Sequence, residues 1–323
     1  MTPPDVPLPD SVLMECVGVA VLAPSLHNSQ PWRFRIRDGG VDVLADPDRQ
    51  LHALDPDGRE LAVSVGAALF TLRLAVRRRG RIPVVRMFPD PADPDLIARV
   101  TSGQAAAVTP AVQAMADAVP LRHTNRWPFT PAVVSADAIE ELTEAARHEG
   151  ATLEMAGAVS RNAILGLSQA AERTLRSHGS YRAELNHWTS RHPARRDGIP
   201  PSAIGPWDAL ERLPLRDFGL LAPRVIRSGE RFEPHPTIVL LSTQGDGRPQ
   251  WVAAGQALQR VLLVATSLRL ATTPISQPVE IPAIRELLTD TSTGRWAQMV
   301  LRLGHGSATA ATPRRPLSDV LLP

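Results

Sequence analysis

The 323-residue sequence predicts an α+β fold made of two related half-units. Three observations indicate this: a β-hairpin pattern around Gly39-Gly40, several long apolar segments with helical character, and an internal repeat. The repeat pairs "VGAALFTLRLA" around Gly66 with "AGQALQRVLLV" around Gly255. Glycine inside a helix costs about 1 kcal/mol relative to alanine, so two such glycines in buried helices indicate close backbone packing.

The first half-unit is predicted to span residues 1–118. A helix begins near Asp10 and ends by Pro24, since the residue before a proline avoids the α conformation. "WRFRIRDGGVDVLAD" alternates apolar and polar residues about a glycine pair, which is typical of a hairpin. A long buried helix, "GRELAVSVGAALFTLRLAVRRRG", and a short strand, "RIPVVRMF", follow. Residues 87–118 are rich in proline and alanine, and we interpret them as a boundary.

The second half-unit is predicted to span residues 119–323. "SADAIEELTEAARHEG" and "RNAILGLSQAAERTLRSHG" read as helices, with the strand "ATLEMAG" between them. Residues 180–234 are broken by Pro-Pro and Gly-Pro steps, and a segment this long and irregular is usually a lid or a binding loop. A strand, a Gly-Asp-Gly turn and a buried helix follow, and "WAQMVLRLGHG" is the final strand.

Composition excludes several classes of protein. All 35 basic residues are arginine, so lysine catalysis is absent and any phosphate must be held by guanidinium or backbone N–H groups. The net charge is only +2 and aromatic residues make up 4%, which argues against a nucleic-acid surface. Cys16 is the single cysteine, so disulfides within the chain and cysteine zinc sites are ruled out. Because we see neither a signal peptide nor a membrane span, we expect a cytoplasmic protein.

A polar cluster lies in "APSLHNSQPWRF", residues 23–34, between two prolines. The amides of Asn28 and Gln30 can both donate and accept, which suits a ligand with alternating imide and carbonyl groups. A loop capped by its own side chains explains the same composition. Hydrolysis by Ser25 with His27 as its base is weakly supported, because no nucleophile elbow surrounds the serine.

Three further clusters suit an anionic ligand. "LRHTNRW" combines two arginines, a histidine and a hydroxyl, which together suit a phosphate and a polyol, although an ordinary surface loop would look alike. "TTPISQP" offers Ser276 and Gln277 from a turn after the Gly255 helix. "TPRRPL" holds Arg314 and Arg315 between prolines that stiffen the chain, so less entropy is lost on binding.

Together these clusters resemble the nitroreductase family of flavoproteins along nearly the whole chain. "APSLHNSQPWRF" is similar to the family signature APS-x-x-N-x-QPW-x-F, and "RHTNR" resembles its Arg-Arg/His-Ser-x-Arg/Lys opening with Thr124 in place of serine. "TTPIS" and "LRLGHG" with "RRPL" resemble its Pro-Ile loop and its closing elements. Here the Arg-His element follows the Gln-Pro-Trp element, the reverse of the usual order. This resembles the Acg-like branch, in which two nitroreductase-like halves are fused into an internal pseudo-dimer.

The resemblance implies a three-layer sandwich with a mixed, mostly antiparallel sheet flanked by helices, and FMN as the cofactor. It also implies that the cleft between the halves binds FMN through these residues: Ser25, Asn28, Gln30, Arg122, His123, Thr124, Arg126, Ser276, Gln277, Arg314 and Arg315. Ser276 and Gln277 would lie near the flavin N5, where the family often has Glu-Gly, while the arginines would hold the phosphate.

The activity implied is transfer of hydride from NADH or NADPH to FMN and on to a nitroaromatic, a quinone or a related small aromatic acceptor. An alternative is a protein that stores or sequesters FMN beneath a lid, for which "YRAELNHW" and "RRDGIPP" are candidates. A specialised oxidase acting on a biosynthetic product is a third reading. We expect neither a nucleic acid nor a membrane as a partner.

Overall fold

A computed structural model of the protein describes residues 7–189, 195–218 and 227–323. The first part of the chain contains α1 (Asp10–Ala20), β1 (Trp32–Arg37), β2 (Gly40–Ala45), α2 (Arg59–Arg78), β3 (Arg81–Met87), β4 (Leu96–Ala105) and α3 (Pro110–Ala118). The middle contains α4 (Ala136–Arg147), β5 (Ala151–Met155), α5 (Ala158–Ser177), α6 (Gly179–Thr189), β6 (Trp207–Asp208) and β7 (Gly229–Glu230). The last part contains β8 (Thr237–Gln244), α7 (Arg248–Ser267), β9 (Ala271–Ile275), α8 (Gln277–Glu280), α9 (Pro282–Leu287), β10 (Arg295–Gly304), α10 (Leu317–Val320) and β11 (Leu321–Leu322).

The first sheet has the strand order β11-β1-β2-β4-β3 and packs one face against α1 and α2. The predicted hairpin is its centre: Arg37 pairs with Gly40, so Asp38 and Gly39 form a two-residue loop with φ values of 48° and 64°. Positive φ at both positions is the geometry of the type I′ turn that Asp-Gly favours. This loop fixes the register that buries Trp32 and Phe34.

The second sheet has the order β5-β8-β10-β9 and is covered on both faces. Val239 and Leu301 face α4 and α7, whereas Ile238 and Val300 face Ile164 of α5. This alternation follows the two-residue period of a strand. Every pairing in the two sheets is antiparallel except β1 with β11. The α+β class with mixed, mostly antiparallel sheets is therefore confirmed.

The helices α2 and α7 pack against each other between the two sheets. A Cβ at Gly66 would lie 2.2 Å from the carbonyl oxygen of Val252, and a Cβ at Gly255 would lie 2.0 Å from that of Val63. Both distances are far below van der Waals contact, so only glycine permits this crossing. The predicted close packing of the two repeated helices is confirmed, and it supports the pseudo-dimer.

Residues 87–118 differ from the prediction that they form a boundary. They contain β4, an inner strand between β2 and β3, and the helix α3 rather than only a boundary. The start of α3 carried a readable signal, because Thr109 caps it by accepting from the Val112 N–H and Pro110 follows.

The last residues of the chain cross back to the first sheet. After β10 the chain returns to α1, and β11 pairs in parallel with β1 through Phe34 and Leu321. The division into half-units 1–118 and 119–323 stays a prediction. The second range supplies β11 to the sheet formed by β1–β4. In the described ranges no helix is both long and apolar enough to cross a membrane.

Candidate functional site

A cleft lined by residues of both predicted half-units brings together most of the predicted site residues. One part, which we call the apolar lobe, is lined mainly by hydrophobic side chains, among them residues of α2, α7, β9, β10 and the segment that ends at residue 218. These are Val63, Ala67, Leu215, Phe218, Leu258, Leu262, Ile275 and Met299. The other part, the basic lobe, is lined by Arg122, His123, Arg126, Arg314, Asn28, Ser202, Thr309 and Thr312. Ser25, His27, Thr124 and Arg126 line both lobes, so the two are continuous.

The loop between Pro24 and Pro31 has an unusual backbone. His27, Asn28 and Gln30 have φ values of 50°, 55° and 53°, in the left-handed region that side chains other than glycine seldom adopt. The Ser25 hydroxyl accepts from the Gln30 N–H at 2.9 Å and helps to hold this conformation. Strained loops of this kind persist where the surrounding structure fixes them, commonly at functional sites.

Both the oxygen and the nitrogen of the Asn28 side-chain amide form hydrogen bonds with residues distant in the sequence. Its Oδ1 accepts from Arg314 Nη1 at 2.9 Å, and its Nδ2 donates to the carbonyl oxygens of Gly198 and Pro313 at 3.0 Å. Asn28 therefore positions Arg314, which lies 286 residues later in the chain, at the edge of the basic lobe. Arg314 and Asn28 meet as the fused arrangement predicts.

The loop that carries Arg122 is fixed by the neighbouring strand and tail. Thr124 forms a bridge with Thr272 of β9, and the Asn125 N–H donates to the Thr272 carbonyl at 2.9 Å. The Asn125 side chain donates to the carbonyl oxygen of Ser307 at 2.8 Å. These bonds hold the flanking arginines against the cleft.

The basic lobe contains buried positive charge that has no acidic partner in the described part of the chain. Arg122 is 4% exposed, its Nε has no hydrogen-bond partner, and the Nε of Arg314 also lacks one. Burial and the nearby Arg314 lower the pKa of Arg122 to about 9, and burial lowers that of Arg314 to about 10. Within the described ranges no carboxylate forms an ion pair with either guanidinium. An uncompensated buried charge is costly, so this lobe is suited to an anion.

His123 and Arg126 complete the basic lobe. The Nδ1 of half-buried His123 is unpartnered, and burial together with Arg122 and Arg314 lowers its pKa, which keeps the ring neutral at neutral pH. Arg126 donates to the carbonyl oxygen of Ala203 at 2.7 Å and lies over the Phe218 ring at 4.8 Å. It thus joins residues 195–218, which we call the covering segment, to the cleft.

Ser276 and Gln277 lie in the wall of the apolar lobe, and their side chains contact the covering segment. Ser276 Oγ accepts from Arg216 at 3.3 Å, and Gln277 Nε2 donates to the Pro214 carbonyl at 3.0 Å. Gln30 and Arg315 lie outside the lining of both lobes. Gln30 accepts from the Arg315 N–H at 2.9 Å and donates to the Arg196 carbonyl at 2.9 Å, so it joins the C-terminal tail to the covering segment.

The predicted lid-like insertion, residues 180–234, contributes to both lobes, although its residues 190–194 and 219–226 lie outside the described ranges. Leu215, Arg216 and Phe218 cover the apolar lobe, and Phe218 packs edge-on against His27 at 5.3 Å between ring centroids. Ile199 and Ser202 border the basic lobe.

The sequence analysis considered His27 only as a base for hydrolysis, and it did not single out Glu60, Arg216 or Phe218. Glu60 carried a signal, because it shares one face of α2 with Val63, Ser64 and Ala67 at helical spacing within an otherwise buried helix. Arg216 and Phe218 carried none, since their segment lacks a regular pattern.

Comparison with known proteins finds near-full-length relatives in Mycobacterium tuberculosis. Rv3131, named "Putative NAD(P)H nitroreductase", is 32% identical over 97% of this chain and 92% of its own length. A second protein of that name, acg, is 33% identical over 98% of this chain and 97% of its own. No family model matches the chain.

Solved structures are more distant. The FMN-dependent nitroreductase NfnB of Mycobacterium smegmatis, crystallised with NADPH, covers 64% of this chain and 96% of its own, at 16% identity and a TM-score of 0.39. A likeness this weak adds nothing to what the near-full-length relatives show.

Proposed function

Because this chain belongs to the nitroreductase family, as its near-full-length relatives show, we propose that it is an FMN-dependent oxidoreductase. It takes hydride from NADH or NADPH and reduces a nitroaromatic, a quinone or a related small aromatic acceptor. The observation that carries the proposal is a pair of arginines next to an apolar lobe, buried Arg122 and half-buried Arg314, whose Nε atoms have no hydrogen-bond partner and which form no ion pair within the described residues.

The residues of the cleft fit FMN. A phosphate would give a partner to the Nε atoms of Arg122 and Arg314 and would balance their charges, since arginine binds phosphate through charge-assisted hydrogen bonds. The lobe beside it is apolar and bordered by hydroxyl and amide groups, which suits a flat ring with polar edges. Bound FMN supplies two-electron chemistry, alternately accepting and giving up hydride equivalents, while the protein supplies binding and electrostatics.

Different residues of the basic lobe would bind different parts of the cofactor. Arg122, Arg126 and Arg314 would neutralise the phosphate, and the neutral His123 and the Thr124 hydroxyl would bind the ribityl oxygens. Ser25 would contact the cofactor directly, whereas Asn28 would act by fixing Arg314 through its 2.9 Å hydrogen bond.

The walls of the apolar lobe would orient the ring. Ser276 and Gln277 would lie near its N5. Gln30 and Arg315 would support the site indirectly, because their hydrogen bonds hold the C-terminal tail against the covering segment. Leu215 and Phe218 exclude water from this lobe, and a low-polarity environment strengthens the electrostatic contacts made there.

Storage of FMN without turnover is the less favoured alternative, because the near-full-length relatives are named for an NAD(P)H-dependent activity. The proposal includes the cytoplasm as the place of action, where NADH and NADPH are supplied.

An absorption spectrum of the purified, FMN-loaded protein tests the proposal. NADH or NADPH added without air should bleach the flavin band, and an aromatic acceptor should restore it. Arg122→Ala and Arg314→Ala should purify folded but colourless. A band that neither nicotinamide bleaches would refute turnover, and variants that keep a full complement of flavin would refute the phosphate site.

A further inference from the structure

The carboxyl group of Glu60 is a polar group of the apolar lobe that the proposed binding of FMN does not use. Glu60 lies in the first turn of α2, lines the lobe and is 3% exposed. Its Oε1 accepts from Arg59 Nη2 at 2.7 Å, whereas its Oε2 is buried without a hydrogen-bond partner. A buried oxygen without a partner is costly, so it needs either a proton to donate or a ligand to contact.

The charges around Glu60 decide its protonation. Burial and repulsion by Glu280 raise its pKa to about 8, with Asp55 adding to the rise and with Arg59 and Arg216 opposing it. Arg59 forms an ion pair with Glu60 through the 2.7 Å contact and also donates to the Gln298 carbonyl at 2.9 Å, while Arg216 pairs with Glu280, so the two arginines offset the burial of Glu60 only in part. Glu60 is therefore largely protonated at neutral pH, and its O–H can donate within the lobe.

His27 is the other unpartnered side chain that lines the apolar lobe within the described ranges. Burial, together with Arg216 and Arg126, lowers its pKa well below the ordinary value, so the ring is neutral. A neutral imidazole is a far weaker acid than a carboxyl group, so Glu60 is the better proton donor of the two.

We propose that Glu60 is a catalytic residue that gives a proton to the acceptor as the acceptor is reduced, an inference that rests on the proposed function. A quinone reduced to a hydroquinone gains two electrons and two protons. NADH or NADPH supplies the electron pair and one proton as hydride, passed on through FMN. The Oε2–H bond of Glu60 breaks to supply the second proton, and the resulting carboxylate regains a proton from water.

A comparison of two acceptors tests this role. Ferricyanide accepts single electrons and no proton, so its reduction needs no proton donor. Glu60→Gln should slow turnover with a quinone by about 100-fold or more, the usual contribution of a general acid, and leave the rate with ferricyanide unchanged. Glu60→Asp should recover part of the quinone rate. FMN content, measured by absorbance, should equal that of the wild-type protein.

Infrared difference spectra provide a readout that does not depend on turnover. The wild-type protein minus Glu60→Gln should show the carbonyl stretch of a protonated carboxylic acid at pH 6, and this band should vanish by pH 10. Glu154→Gln, which removes an exposed carboxylate on β5, is the matched control and should show no such band.

Each other result overturns the role of Glu60. An equal loss with both acceptors would make Glu60 merely structural, and no loss with the quinone would make it dispensable. An absent carboxylic acid band would mean that it holds no proton to give. Should the wild-type protein itself reduce no acceptor, the proposed function fails first and this role fails with it, even if the band is present.

Discussion

Replacement of Arg122 by methionine should stabilise the FMN-free protein and weaken FMN binding. Among the residues that the structure describes, buried Arg122 has no acidic partner, and its pKa is lowered from 12.5 to about 9. At about 1.4 kcal/mol for each pKa unit, the charge destabilises the folded, FMN-free state by roughly 5 kcal/mol at most. Because the folded pKa lies below the unfolded one, this penalty is fully present at neutral pH and is relieved only as the pH rises above about 9.

The expected gain is smaller than that limit. Replacing buried charged groups with apolar residues of similar size has stabilised other proteins by about 1–4 kcal/mol, which is the increase expected for Arg122→Met without FMN. Loss of the charged contacts to the phosphate should cost about 2–5 kcal/mol of binding free energy. That corresponds to an FMN affinity at least about 30-fold lower.

Two titrations measure the opposing effects. Urea unfolding of the FMN-free protein, followed by tryptophan fluorescence, gives the free energy of unfolding, and quenching of flavin fluorescence gives the dissociation constant of FMN. Arg248→Met is the matched control, because Arg248 begins α7 ten residues before Leu258 and should leave FMN binding unchanged. The reasoning is refuted if Arg122→Met lowers the unfolding free energy and binds FMN as tightly as the wild-type protein.

Three further predictions concern the helix crossing, the positioning of Arg314 and the ionisation of Glu60. Gly66→Ala should lower the free energy of unfolding by about 3 kcal/mol or more in urea titrations, because the added Cβ would lie 2.2 Å from the Val252 oxygen; a fully stable variant would contradict this crossing. Asn28→Ala should weaken FMN binding by roughly 10-fold in the same fluorescence titration, since about 1–1.5 kcal/mol is lost when the hydrogen bond to Arg314 is removed, and a larger loss than with Arg122→Met would reverse this ranking. Glu60→Gln should be more stable than the wild-type protein at pH 9 but not at pH 4, because a raised pKa in the folded state means that stability falls as pH rises from 4.5 to about 8; equal differences in unfolding free energy at the two pH values would show that Glu60 ionises normally.

Local pattern predicted the hairpin, the long helices and the polar side chains that line the cleft, but not β4 and α3. The hairpin between β1 and β2 follows from alternation and an Asp-Gly turn, which are properties of adjacent residues. The crossing of α2 and α7 was visible in two glycines within apolar helices, since only close packing explains them. Arg122 and Arg126 stood out because they combine with a histidine and a hydroxyl, and Arg314 stood out because it lies between prolines.

Tertiary structure alone decided which side chains face the cleft and how they are partnered. The side chains of Gln30 and Arg315 are of kinds that could bind a ligand, but they lie outside the cleft lining, where Gln30 accepts a hydrogen bond from the Arg315 N–H. Asn28 accepts a hydrogen bond from Arg314, which lies 286 residues later in the chain. Glu60 is a candidate proton donor because the fold buries it and places Glu280, which is distant in sequence, near its carboxyl group. The physical reason is that burial and charge depend on groups distant in sequence, whereas propensity and periodicity record only neighbours along the chain.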